Sequence, residues 1–568
     1  MRNGRWLVLA LATLGMTLGL GLADSQVAWA QLDIFEKPKD RPPPRRRGFT
    51  FGPVRVGGRG GRKLVVQGNR FYSQGNFAAA SLKFARVVQR MGASKWRAQA
   101  EYLLALSLFR MGYYRSASHY FTRIITAGPA HLQYRNSLVY LIKISRVLQD
   151  LSFLGKLTKF RMSDLPRKYR DELLFLLGRY YFRNEKLPIN QRLRYAERVL
   201  FKVSRRSPFY YSRAQYIIGA IYARAAKPRS DRAGYFRKLA AERFRLCGRS
   251  ALRIKNEKVR KNVIELAVLG LARIHYEAKH FRGAIRYYKA IARNSKRWLD
   301  SLYESAWAYL RRNRYDNTLG LLHTLDSPYF KNEYFPEVGI MRAISFFERC
   351  RYKDVKRIIK GYLARYNPLQ GSLRGFLRRY PTPQKLYGAL LELRNQESVQ
   401  GLDGDDSGQM FQRILKLTFK DKILRGMFIS IRLLEREIGL LRQAGAVWRG
   451  SKLARDLQSL HQRRRRQMVL LAGNYARRRF LEVVTELQYN VGLAYKIRYE
   501  TISKEKVLLR RSASQKGSFR MRTRNRRKRN KFSVAVHEDF VYWPFQGEYW
   551  VDELGYYRYR IKGECRKP

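Results

Sequence analysis

The residue types that do chemistry are few in this chain of 568 residues, and they are widely scattered. Cys247, Cys350 and Cys565 show no metal-binding or redox spacing, and three thiols admit one bridge at most. A pair joining Cys565 to the body would pin the C-terminal segment, but spacing alone does not choose the pairing. His275 and His280 have no ligand partner at helical metal spacing. Asp403, Asp405, Ser407 and Gly408 match the first half of a twelve-residue calcium loop. The twelfth position is Ile414, so the carboxylate that closes such a cage is missing and an acidic linker is expected. HExxH, GxSxG and the phosphate-loop pattern do not occur in the sequence. No catalytic, cofactor-binding or metal-ligating residue is therefore assigned, and a non-enzymatic protein is expected.

Charge is abundant instead. The chain holds 117 Lys plus Arg against 43 Asp plus Glu, a formal net charge of +74. Arg463 to Arg466, Arg477 to Arg479 and Arg524 to Lys531 concentrate it, and the forked donors of arginine suit phosphate contact. A chain so basic seeks polyanions, unless it only reflects a generally basic proteome.

The elements that position these residues follow from spacing. Ala105 is followed by Leu108, Gly112, Tyr114, Ala117, Phe121 and Pro129. These steps describe two short helices. Ala105 and Ala117 are small where the helices approach, Leu108 and Phe121 fill the gap, Gly112 permits the turn and Pro129 ends the second helix. The offsets recur at Gly68, Phe71, Gly75, Phe77, Ala80 and Phe84, and at Ala272, His275, Phe281, Ala284 and Tyr288. They recur again at Ala306, Tyr309, Tyr315, Thr318 and Leu322, and at Ala343, Phe346, Tyr352, Val355 and Ile359. His275 occupies a position that is Leu, Phe or Tyr in the other copies, so it is expected to pack in the core. Gly178 with Tyr181 and Gly219 with Tyr222 mark weaker units between.

This pattern resembles the tetratricopeptide repeat, whose period is about 34 residues. The resemblance implies an all-α solenoid over residues 63–366 whose concave face, lined by the first helix of each unit, holds a protein partner. The chain departs from the family in variable spacing and in most of its Trp positions. Glu304-Ser305 also resembles the catalytic pair of lytic transglycosylases, but the glycine-rich continuation of that family is absent here.

Composition divides the remainder. Residues 31–62 are a Pro/Gly/Arg-rich linker, and residues 367–408 carry Pro368, Pro381, Pro383 and a Gly/Asp cluster that reads as an irregular linker. Residues 409–512 give Met427, Ile431, Leu434, Ile438 and Leu441, then Leu453, Leu457, Leu460, Val484, Leu487, Val491 and Ala494. Coiled-coil spacing broken at Gly445 and Gly450 predicts a helical hairpin, packed on the solenoid or against a partner helix. Residues 513–531 form a basic linker. Residues 532–568 predict a small β-rich cap with strands at Phe540–Phe545, Tyr549–Val551 and Tyr556–Ile561, the last alternating at Tyr557, Tyr559 and Ile561. This cap either folds onto the body or docks a partner. Its Trp543-to-Trp550 string resembles tails of envelope repeat proteins in gliding or predatory bacteria.

Residues 1–30 read as a signal peptide. Arg2 and Arg5 precede an apolar run from Trp6 to Ala23, and Ala28-Trp29-Ala30 offers cleavage before Gln31; retention as a membrane anchor is the alternative. No cysteine follows the run to carry a lipid. No later run is apolar enough to span a membrane, so the periplasm is expected, with attachment at most peripheral. Export turns the charge argument from nucleic acid toward lipopolysaccharide or peptidoglycan. The resemblance implies a scaffold joining envelope proteins in outer-membrane assembly, division or gliding machinery.

Overall fold

Five units of the repeat close through a left-handed residue after the first helix, whereas the first helices of the weaker units, Arg170–Arg183 and Pro208–Ala225, end on Asn184 and Ala226 with negative φ. Gly75, Gly112, Lys279, Asn313 and Cys350 hold φ between +58° and +82°. The N–H of the next residue then bonds five back, from Asn76 to Phe71, Tyr113 to Leu108, His280 to His275, Arg314 to Tyr309 and Arg351 to Phe346, at 2.8–3.0 Å. Glycine takes this conformation without a Cβ clash at Gly112. Lys279, Asn313 and Cys350 accept a strain of about 1 kcal/mol each at the same step.

The computed structural model describes residues 59–514 and 549–565 except 91, 93, 149, 158–159, 185–186, 227–229, 331–332, 396–405 and 560. The signal segment, nearly all of the two linkers at 31–62 and 513–531, Asp403, Asp405 and the strand expected at 540–545 lie outside these residues. Helices α1 (Arg59–Ser73) and α2 (Phe77–Arg90), α3 (Lys95–Arg110) and α4 (Tyr114–Thr126) form the first two pairs, and α5 (Tyr134–Leu148) leads into short 3-10 turns. Pairs α6 (Arg170–Arg183) with α7 (Ile189–Leu200), α8 (Pro208–Ala225) with α9 (Ala233–Ala251) and α10 (Glu257–Glu277) with α11 (Phe281–Lys289) follow. The last pairs are α12 (Trp298–Arg311) with α13 (Tyr315–Leu325) and α14 (Glu337–Phe347) with α15 (Tyr352–Arg379). Then come α16 (Pro383–Asn395), α17 (Asp406–Lys420), α18 (Lys422–Gln443), one turn α19 (Ala446–Arg449) and α20 (Lys452–Ser514). Sequential helices pack on one another along the array, so this is an all-α helical-repeat architecture. Ala105, Leu108, Ala117 and Phe121 are wholly buried, as are Ala306, Thr318 and Leu322 two hundred residues on.

Two sequence expectations need correction. The segment 367–408 is not an irregular linker through most of its described length. α15 runs through Pro368 to Arg379, and α16 starts at Pro383. Tyr362, Leu363, Tyr366, Leu369, Leu373 and Leu377 are buried on one stripe of α15, whereas Pro368 is exposed. The missing N–H therefore leaves a carbonyl facing water rather than core, and the packed stripe carries the helix past it.

The described part of the C-terminal segment, 549–565, is not a sheet. Tyr549–Val551 and Tyr556–Ile561 form no strand, and none occurs among the described residues. Trp550 and Tyr556 donate within the segment, and other backbone donors go to the solenoid. Gly555 N–H donates to Thr324 Oγ1 (2.9 Å), Tyr559 N–H to the Asp316 carbonyl (3.2 Å) and Glu564 N–H to the Arg349 carbonyl (2.8 Å). The segment lies along α13 so closely that a Cβ on Gly320 would sit 1.9 Å from the Tyr557 carbonyl oxygen. A disulfide between Cys350 and Cys565 fastens its end, and Cys247 remains a buried free thiol.

Candidate interaction surface

α18 and α20 are antiparallel because only eight residues, holding one helical turn, separate them. Leu424, Ile431, Leu434 and Leu441 are fully buried along their seam. The tip of this hairpin returns to the first repeats. Trp448 donates its indole N–H to Ser81 Oγ (2.9 Å) on α2 and lies against Tyr113.

Helix α4 begins without a side-chain cap of its own sequence neighbourhood. Glu437 of α18 supplies it. One carboxylate oxygen accepts the Arg115 N–H (2.7 Å), and the other accepts the Ser116 N–H (2.8 Å) and hydroxyl (2.7 Å). A negative charge at the positive end of a helix is stabilising. His461 Nε2 lies 2.9 Å from Ser116 Oγ and 3.1 Å from Glu437 Oε1.

Serine, histidine and glutamate thus meet, the residue set of a nucleophilic hydrolase, but in another geometry. Both partners share Nε2, Nδ1 meets none, and the serine proton goes to the carboxylate. All three side chains are buried, which leaves a substrate no approach. The cluster is a clamp. Beside it the buried Arg115 guanidinium holds Asp150 and Ser430, and Arg464 of α20 shares Asp150 at 2.8 Å. Burial works against the Asp150 charge, but Arg115 and Arg464 together hold its carboxyl below the usual range.

Further along, α20 packs on α14, α15 and α16. Of the first helices that would line the expected groove it packs on α14, and its Glu486 lies close enough to act on Tyr303 of α12. Charge is segregated there. Burial, then the nearby Arg183 and Arg213, push Arg179 of α6 well below its usual pKa. On α12 and α14 the imbalance is acidic. Burial and the neighbouring Glu337 raise Glu486 of α20 to about 7, and burial followed by Glu304 raises Asp300 to about 6. Tyr303 donates its hydroxyl to Glu337 in this patch.

The residues singled out from sequence fall as follows. Glu304 is buried and holds Arg273 through both oxygens, at 2.7 and 3.0 Å, so its carboxylate is committed to an ion pair. His275 is only half-buried, its ring tilted against Tyr287 at 5.1 Å rather than enclosed in the core. The second half of the calcium-loop window lies in α17, with Ile414 buried. Among the described residues no three His, Cys, Asp or Glu side chains come together as a metal site. Of the arginine runs, Arg464, Arg465, Arg477 and Arg479 bind Asp150, Glu435, the Tyr380 and Pro381 carbonyls, and Glu482. Arg463 and Arg466 stay exposed.

Sequence reading missed the Ser116, Glu437 and His461 cluster because its members lie up to 345 residues apart. It also missed an outer stripe on α20. Tyr495, Tyr499, Ile502 and Leu509 recur at steps of four, three and seven and are 47%, 72%, 48% and 64% exposed, while Ala494, Ile497 and Thr501 face inward, buried. Period alone finds both sets and cannot say which is covered. Lys496, Arg498, Lys504, Lys506 and Arg510 flank the outer stripe.

No family model matches the chain, and no curated protein matches it. No helix among the described residues is long and apolar enough to cross a membrane.

Proposed function

We propose that this chain is an exported, non-enzymatic scaffold of a bacterial cell envelope, built on tetratricopeptide-type repeats, with a protein partner docked on the outer face of α20. The observation that carries this reading is the exposed Tyr495, Tyr499, Ile502 and Leu509 stripe within a basic surround. It suits an amphipathic partner helix whose apolar face is flanked by carboxylates. A disulfide between Cys350 and Cys565 suits an oxidising compartment and so supports export.

The test is cross-linked capture from source envelopes with the mature chain and with a Tyr499→Asp/Ile502→Asp variant, washed at low and high salt. Discrete proteins that survive high salt and vanish with the variant support the scaffold. A second reading, a binder of lipopolysaccharide or peptidoglycan, draws on the exposed Arg463 and Arg466 and the net charge of +74. It expects anionic polymer recovered only at low salt, with affinity falling by about one power of salt per phosphate neutralised.

A further inference from the structure

Away from α20, the inserted 3-10 turns between α5 and α6 pack on α4 and α6 and leave a cleft of about 1130 Å³ that α7 also lines. One wall is aromatic. Tyr180 and Tyr181 at the end of α6 and Tyr195 on α7 stand in a row, with ring centroids 5.8 and 5.6 Å apart. Arg161, Arg198 and Lys202 stand around them, exposed, and none is ion-paired to a carboxylate among the described residues. Other basic side chains of this chain hold carboxylates: Arg146 holds Glu172, Arg273 holds Glu304 and Arg464 holds Asp150. In this cleft the one lining carboxylate, Asp164, accepts the Arg161 backbone N–H (2.7 Å), and the three side-chain charges form no ion pair with it.

We propose that this cleft binds an acidic saccharide, a sugar of two or three rings bearing a carboxylate or phosphate. The C–H face of a pyranose packs flat on a tyrosine ring, and the phenol hydroxyls at the edge meet sugar hydroxyls. The three bases supply charge-assisted hydrogen bonds to the anionic substituent. The volume exceeds that of a pocket for one small ligand, which fits an oligosaccharide. Choosing a glycan over a nucleotide rests on the envelope location proposed above; the aromatic and basic lining does not.

Full-length mature chain is titrated calorimetrically with four probes: N-acetylglucosaminyl-N-acetylmuramic acid, a glucosamine disaccharide bisphosphate, neutral chitobiose and AMP. Saturable one-to-one binding of either acidic disaccharide is expected, at least tenfold tighter than chitobiose and AMP. Which acidic disaccharide binds more tightly assigns the source as peptidoglycan or lipopolysaccharide. Tyr195→Ala and Arg198→Gln, both at exposed positions, are each expected to weaken it tenfold or more with an unchanged melting temperature. Tyr181→Ala serves as a third variant, read only if it melts like the parent. Equal binding of chitobiose, preference for AMP, failure of both acidic sugars to saturate, or indifference to Tyr195→Ala would each overturn the proposal. Protein capture by the α20 stripe is measured separately with Tyr499→Asp/Ile502→Asp, so failure of one reading leaves the other standing or falling by its own result.

Discussion

Glu486 and Glu337 face each other where α20 crosses α14, with Tyr303, Tyr334 and Tyr362 around them and Arg479 the cation that favours ionisation of Glu486. Burial and mutual repulsion keep Glu486 protonated up to about pH 7, above its usual value of 4.5. The folded chain therefore binds this proton more tightly than the unfolded chain does. Its contribution is fully present below pH 4.5 and is lost as pH rises toward 7. The melting temperature is expected to fall between pH 5 and pH 8, and Glu486→Gln to flatten that slope and stabilise the protein at pH 8 by on the order of 2 kcal/mol. Thermal melts across this range check it, and an unchanged slope in the variant would discard the idea. None of this was readable in the sequence, where Glu486 sits two residues after Val484 as an ordinary polar position of a helix. The same holds for His461, one residue after Leu460. Both acquire their roles from residues brought in by the tertiary fold.

At the scale of elements, local pattern was legible wherever burial repeats it. Ala105, Leu108, Ala117 and Phe121 give the helix pair, and the same logic recovers the pairs at 272 and 306. Pro368 misled, because a proline announces a break but packing of Leu363, Leu369, Leu373 and Leu377 decides it. Since Pro368 is exposed, Pro368→Ala restores a backbone donor without touching the core. A gain of about 1–3 kcal/mol is expected, from the helix-interior difference between the two residues, measured by chemical denaturation; a loss would mean that the proline shapes a bend α20 requires. The C-terminal segment misled for another reason. Alternation at Tyr557, Tyr559 and Ile561 has the period of a strand, but Tyr559 is 47% exposed while Ile561 is buried, so the three do not form one covered face. Ile561 is buried and Tyr557 sits against His323, with no neighbouring strand required.

The whole molecule is shaped by one helix of 63 residues, about 95 Å long at 1.5 Å per residue. Through Trp448, Glu437 and Arg464 the hairpin is tied to α2, α4 and the end of α5, and through Glu505 it is tied to Lys356 on α15. It spans the array like a strut between the early and late repeats. Trp448→Ala removes an anchor with 3% exposure and is expected to cost about 3 kcal/mol of docking. Small-angle scattering should show a larger radius of gyration, while hydrogen exchange keeps α10 to α15 protected. Simultaneous loss of protection along the whole chain would show instead that strut and solenoid unfold as one unit. This long-range tie is the least legible feature of all, because partners more than 300 residues apart leave no periodic trace.

Cys350 and Cys565 are 215 residues apart, and the bond between them makes a covalent ring that contains α15 through α20. The run Arg524-Asn525-Arg526-Arg527-Lys528-Arg529 inside that ring is rich in sites for a protease that cuts after basic residues. A cut there severs the backbone without releasing a fragment. The C-terminal piece stays bonded at Cys350 and seated on α13, so after a single cut the nicked form differs from the intact one only by the water added, until a reductant separates the pieces.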